Sequence, residues 1–330
     1  MPAEWEYQSL IQLTFPSLHS DWKDNFPEVI QCYIDIIAAI TPFQKILLLC
    51  QQIKTVKKII PFGLHQQIIW QEIPTNDTWC RDYGGITVLI NQKRTLLDFT
   101  FNGWGNKFTS TLDNQSNIKI FKTNTLNKYA YKKIDFVLEG GSIESNGNGI
   151  LLTTSQCLLH PNRNPHYSKK QITSLLQSEL GAQKVLWLNS KQLHGDDTDG
   201  HIDTLARFLS PNAILCQQSK DSTNPNYDNL LLTQKELATF KNNAGKPFSI
   251  HTIPLPDPIY NEASQSLPAT YLNFLFINKA ILVPQYNQVH DKKVIQFFTA
   301  FFPKKEIIGI NCVPLIQQGG AIHCASMQYY

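Results

Sequence analysis

A hairpin-forming pattern recurs along this chain at intervals of about 55 to 70 residues, the mark of a repeated supersecondary unit. Each instance has a Gly-rich or polar turn, a short apolar run, a tight polar turn and a second apolar run. Gly84–Phe99 turns at Asn91-Gln92-Lys93, and Gly141–Leu152 turns at Asn146-Gly147-Asn148-Gly149. His201–Cys216 turns at Ser210-Pro211-Asn212, and Tyr271–Pro284 at Asn278-Lys279. Apolar residues at helical spacing mark Phe26–Ile40, Ser168–Leu180, Thr233–Asn243 and Asp291–Phe302. A strand-like run follows each of them: Lys45–Leu49, Val185–Leu188, Phe248–Ile253 and Ile307–Ile310. The unit is therefore hairpin, helix, strand.

One further hairpin must be assembled from the two ends, Ser9–Phe15 pairing near Ala321–Gln328. Terminal strands that pair in this way protect the sheet edges of a propeller-like ring. The competing architecture is an open α/β sheet with long insertions; the regular spacing favours the ring. No linker or low-complexity stretch interrupts residues 1–330, so a single domain is expected.

Composition narrows the partners. The net charge is +3 and no Lys/Arg block is dense enough to follow a phosphate backbone, so nucleic acid is not an expected partner. The lysines within Lys54–Lys58 read as a solvated edge. Met1-Pro2-Ala3-Glu4-Trp5-Glu6 has neither the basic nor the apolar region of a signal peptide. Apolar runs such as Ile36–Ile40 and Ile46–Leu49 are too short to span a bilayer, so no membrane partner and a cytoplasmic location are expected. Seven cysteines without a CxxC indicate neither a disulfide framework nor a zinc site. Cys324 differs from the rest because it follows a Gly-Gly turn and a histidine.

The unusual residues sit in the turns that begin the hairpins, which a radial arrangement would bring together. They are Trp79-Cys80-Arg81-Asp82, Glu139-Gly140-Gly141, Asp196-Asp197-Thr198-Asp199-Gly200-His201-Ile202-Asp203 and His323-Cys324. Acids gathered in one pocket require a compensating cation. A metal is one option, through His201, Asp203, Asp196 and Asp197, but no paired-His spacing supports it, and no metal or other cofactor is expected. A cationic substrate accounts for more. Two carboxylates, Asp82 and Asp203, can grip a planar guanidinium; a thiolate can attack its carbon; a histidine can protonate the departing ammonia and then activate water. Trp79 or Trp104 can pack on the cation's face. Each residue taken singly also has a plain structural reading, and a non-catalytic binding propeller is the contrasting class.

Met1–Glu6, Thr78-Trp79-Cys80-Arg81-Asp82-Tyr83-Gly84, Phe101-Asn102-Gly103-Trp104-Gly105, Glu139-Gly140-Gly141-Ser142-Ile143, Asn162-Arg163-Asn164-Pro165, Asp196–Asp203 and Gly319–Cys324 carry a resemblance over essentially the whole chain. Together they resemble the agmatine deiminases of the guanidino-group-modifying superfamily, near relatives of the porphyromonas-type peptidylarginine deiminases. The resemblance implies a five-bladed pseudo-symmetric α/β propeller of ββαβ repeats. It implies hydrolysis of agmatine to N-carbamoylputrescine and ammonia through an amidino-cysteine intermediate, without metal or organic cofactor, in a homodimer. Carried over by motif, Cys324 is the nucleophile, His201 the general acid/base, Asp82 and Asp203 the guanidinium-binding carboxylates, and Glu139 a supporting glutamate. Trp79 and Asp197 match positions at or near the substrate. The chain departs from the pattern at Gly85, Gln318 and Ala321, outside that set. A deiminase of peptidyl-arginine or free arginine is the alternative, because no residue is assigned to the substrate's far end.

Overall fold

Residues 1–18 and 20–330 are described by a computed structural model. Among them the strands form small sheets, none wider than four strands, rather than one large open sheet. Four sheets share one build: an antiparallel hairpin followed by a strand parallel to the hairpin's second strand. They are Ile86–Ile90, Lys93–Thr100 and Ala130–Val137; Ile143–Ser145, Ile150–Thr154 and Lys184–Leu188; Ala206–Ser210, Ala213–Gln218 and Ser249–Pro254; and Leu275–Ile277, Ala280–Gln285 and Glu306–Asn311.

The fifth sheet has the same order with its hairpin supplied by the two ends. Leu10–Thr14 pairs antiparallel with Ser326–Tyr329, in register Leu10 to Tyr329 and Leu13 to Ser326, and parallel with Lys45–Cys50. Ile68–Glu72 adds a further parallel strand. A separate two-stranded ribbon, Ile259–Tyr260 with Ser266–Leu267, has no counterpart in the other units.

Parallel strands need a crossover, and helices supply it. Phe26–Ile40 starts with Pro27 in its first turn and buries Val29, Cys32, Tyr33, Ile36, Ile37 and Ile40, a stripe at helical spacing. Lys169–Leu180 starts with a Ser168/Gln171 capping box and stops at Gly181, whose φ of +71° suits glycine. Val289–Phe301 lies close to its expected place. The helix expected at Thr233–Asn243 is shifted to Tyr227–Thr239: Phe240 is already extended, and Asn242 and Gly245 form a turn. One apolar cluster joins buried residues from Leu10 to Tyr329, and a smaller one lies between the sheets around Leu152 and Ile214.

A short helical segment or turn stands before the first strand of every unit. These are Cys80–Tyr83, Gly140–Ser142, Ile202–Leu205, the turn at 271–272 and the turn at 322–325. Chain leaving such a turn enters a buried strand, so the turn's side chains are held by the core beneath them. No helix of the described residues is long and apolar enough to cross a membrane.

Candidate active site

The turns meet. Arg81 N donates to Cys324 O at 3.1 Å, and Gly141 N donates to Asp82 Oδ1 at 2.9 Å. A Cβ on Gly141 would lie 2.6 Å from His201 Nδ1, 2.9 Å from Asp82 Oδ1 and 3.1 Å from Asp203 Oδ2. Three groups from different turns thus surround one glycine, and only glycine leaves room for them. Gly320 is confined in the same way, by the ring of Trp79 at 2.6 Å.

Cys324 is buried. Its Sγ lies 3.1 Å from Asn273 Nδ2 and 3.8 Å from Asp203 Oδ2. Burial, with the Asp203 and Asp82 charges nearby, pushes its thiol well above the usual range. Asp82 Oδ2 accepts from Trp104 Nε1 at 2.9 Å. Its carboxyl is raised by burial, which outweighs the His201 charge, and Glu139 and Asp203 add to the rise. Asp203 behaves oppositely: burial acts against ionisation, but the His323 hydrogen bond and charge hold its carboxyl below the usual range. Asp203 Oδ1 is buried without a partner among the described residues.

His201 is fully buried, with Nε2 2.9 Å from Glu139 Oε2 and Nδ1 3.6 Å from Asp82 Oδ1. Among the described residues, Nδ1 has no hydrogen-bond partner. Burial disfavours the imidazolium, but the Asp82 charge, together with Cys157 and Glu139, holds its pKa well above the ordinary value. Glu139 accepts from Arg163 Nε on both oxygens, at 3.0 and 2.9 Å. Burial again opposes ionisation, and His201 and Arg163 outweigh it. Arg163 is itself tied to Asp199 and to Thr198 O.

A cavity of about 420 Å³ opens above these groups. Trp79, Asp82, Asp197, Trp104 and Cys324 line it, whereas His201, Asp203 and Glu139 lie buried behind it. Asp21, Asp77 and Asp197 add carboxylates to its lining, and among the described residues no lysine or arginine lines it. Asp196, considered above as a metal ligand, instead accepts from Thr198 N, Thr198 Oγ1 and Gly200 N of its own loop. The sequence reading omitted Asn273. Its signal was positional: it stands two residues before a first strand, as Cys324 does.

The model of the Porphyromonas-type peptidyl-arginine deiminase family matches residues 1–329. The chain belongs to that family. A Legionella pneumophila deiminase-family protein, provisionally named agmatine deiminase, is 34% identical over 99% of this chain and 94% of its own length. The agmatine deiminase of Medicago truncatula is 30% identical over 99% and 95%. A C. jejuni agmatine deiminase with a cysteine-to-serine substitution and substrate bound superposes with a TM-score of 0.92 at 38% identity, covering 99% of this chain and 95% of that one. A dimethylarginine dimethylaminohydrolase reaches a TM-score of 0.53 at 13% identity over 98% and 100%, a likeness of fold alone. This family member thus shares a mixed α/β fold with these solved structures.

Proposed function

We propose that the protein is an agmatine deiminase, a single-domain five-bladed α/β propeller that converts agmatine and water to N-carbamoylputrescine and ammonia. The observation that carries this reading is the pairing of a buried thiol with unpartnered Asp203 Oδ1 and His201 Nδ1 beside an acid-lined cavity. Buried polar atoms without partners mark where a ligand completes the hydrogen bonding.

In this reading Asp82 and Asp203 grip the guanidinium. Its positive charge offsets the carboxylates that raise the Cys324 thiol, and the thiol proton passes to water in the cavity, leaving the thiolate. Sγ bonds to the guanidinium carbon. His201, which holds its proton on the free Nδ1 side, gives it to the leaving nitrogen; the C–N bond breaks and ammonia departs. The amidino-cysteine is then attacked by a water that His201 deprotonates, and the C–S bond breaks to release the ureido product and the thiol. Glu139 touches no substrate; it fixes the imidazole through Nε2. Asp21, Asp77 and Asp197 favour a substrate whose far end is a cation. Free arginine or a peptide would bring a carboxylate or a neutral backbone to a wall without a lysine or arginine to receive it.

The test measures ammonia and ureido product from agmatine, arginine and an arginine peptide. Agmatine is turned over preferentially; Cys324→Ser abolishes turnover but still binds agmatine, and His201→Gln loses about 10²–10⁴-fold in kcat. Turnover of the peptide without turnover of agmatine refutes the reading.

A further inference from the structure

His201 has a counterpart on the other side of the nucleophile. His323 Nδ1 lies 2.7 Å from Asp203 Oδ2, and its Nε2 lies 2.8 Å from Glu4 Oε2. Two chains of the same build therefore run back from the two guanidinium-facing carboxylates. One is Asp82, His201, Glu139, Arg163; the other is Asp203, His323, Glu4, Arg207. They differ at one atom. His201 keeps a ring nitrogen free of hydrogen bonds, and His323 keeps none.

The protons on His323 follow from its neighbours. Asn273 Oδ1 accepts from the backbone nitrogens of His323 and Cys324 at 3.0 and 3.2 Å, which fixes the amide so that Nδ2 is the donor. That Nδ2 faces Asp203 Oδ2 at 3.3 Å, so Oδ2 is an acceptor and His323 Nδ1 donates to it. On the other side, Glu4 Oε1 accepts from Phe276 N and Oε2 accepts from Arg207 Nη2, each at 2.8 Å. Glu4 is thus an ionised acceptor, and His323 Nε2 donates to it. Both ring nitrogens carry protons and both protons are committed. Such a ring holds a charge in place; it has no free nitrogen with which to exchange a proton with substrate. The charged and titratable groups facing it are Asp203, Glu4, Arg207, Arg81, Glu144 and Cys324.

We infer that His323 and Glu4 are positioning residues that hold Asp203 as an ionised, oriented guanidinium acceptor, Glu4 reaching the site from the N-terminal segment. The contrast between the two aspartates agrees with this: Asp203, clamped by a doubly bonded imidazolium, lies below the ordinary carboxyl range, and Asp82, 3.6 Å from His201, lies above it. The inference rests on the guanidinium-clamp reading but not on the identity of the molecule that carries the guanidinium.

The experiment compares two alkylating reagents at Cys324. In 2-chloroacetamidine, a cation resembling guanidinium, Sγ displaces chloride beside the carboxylate clamp; in iodoacetamide, which is neutral, Sγ displaces iodide without needing the clamp. The variants are Glu4→Gln, His323→Ala and His323→Asn, the last keeping a donor near the Nδ1 position. Glu4→Gln and His323→Ala lower the amidine rate by about ten-fold or more at neutral pH, the effect of neutralising one carboxylate of a cation site. The iodoacetamide rate holds or rises, because a neutral Asp203 no longer raises the thiol. The amidine deficit shrinks as pH increases and Asp203 re-ionises, and His323→Asn recovers part of it. Equal losses with both reagents, no loss, or a deficit independent of pH each overturn the inference. Agmatine turnover by the unaltered protein, run alongside, tests the substrate separately: its absence with an intact reagent pattern removes agmatine and leaves the clamp.

Discussion

Cys324, the proposed nucleophile, is a thiol that resists ionisation. Burial and the charges of Asp203 and Asp82 raise it, and the Asn273 amide is the neutral donor that faces the sulfur. Iodoacetamide should therefore modify Cys324 in the free protein slowly at neutral pH, with a rate that keeps rising above the titration range of an ordinary thiol. A saturating inert guanidinium should move the Cys324 titration downward; an unmoved titration would remove the substrate's charge from the account of thiolate formation. Asp113 offers a stability test of the same physics. Its Oδ1 accepts from Asn76 N and Asp77 N, its Oδ2 has no partner, and burial pushes its carboxyl up to about 7. A raised carboxyl pKa means the fold prefers the protonated form. Stability from this group therefore grows as pH falls through 7 and is complete near the unfolded value. Asp113→Asn should flatten the difference in urea midpoint between pH 8.5 and pH 6, conditions chosen to straddle that titration. Asp82, Asp203 and Cys324 were legible as candidates because charge or a Gly-Gly turn set them apart. Asn273, between Leu272 and Phe274, carries no such mark, and Glu4 meets Arg207 only across 203 residues of chain.

Glycine decides whether the turns can approach. Ala at 141 would place a methyl among His201, Asp82 and Asp203, so Gly141→Ala should lower kcat/KM by about 10²-fold through displaced groups while the fold persists by circular dichroism. Wild-type kinetics in that variant would show that the three groups are not set as described. Elements with strong local signals were readable from the chain. Phe26–Ile40 has a proline at its start and a continuous apolar stripe, and each expected hairpin pairs as drawn. Ala130–Val137 was not anticipated: Lys132, Lys133 and Asp135 are exposed, and only Ile134 and Phe136 bury apolar side chains there. The helix before it, Ser116–Lys122, is only 7 residues long, too short for its periodicity to stand out.

Across the molecule, units far apart in sequence are held by buried ions. Arg207 is fully buried, donates to Leu272 O, Phe274 O and Glu4, pairs with Glu144 at 3.0 Å and lies 4.5 Å over the Phe274 ring. Removing one partner of such a pair strands the other, so Arg207→Ala should cost about 3–5 kcal/mol in urea denaturation. A loss below about 1 kcal/mol, the range of an exposed pair, would contradict this placement. Repetition itself was visible from the spacing of hairpins; the ion pairs that tie the units were not, because no periodicity records them.

The pairing of the first and last strands has a consequence for a chain still being made. Cys324 belongs to the final turn, and its partners arrive from residues 82, 203 and 273, with the strand beyond it joined to Leu10–Thr14. In the proposed mechanism Cys324 is, until that join forms, an ordinary cysteine with no clamp to select a cation. On that proposal, selectivity for cationic reagents becomes a stopwatch for the last step of assembly.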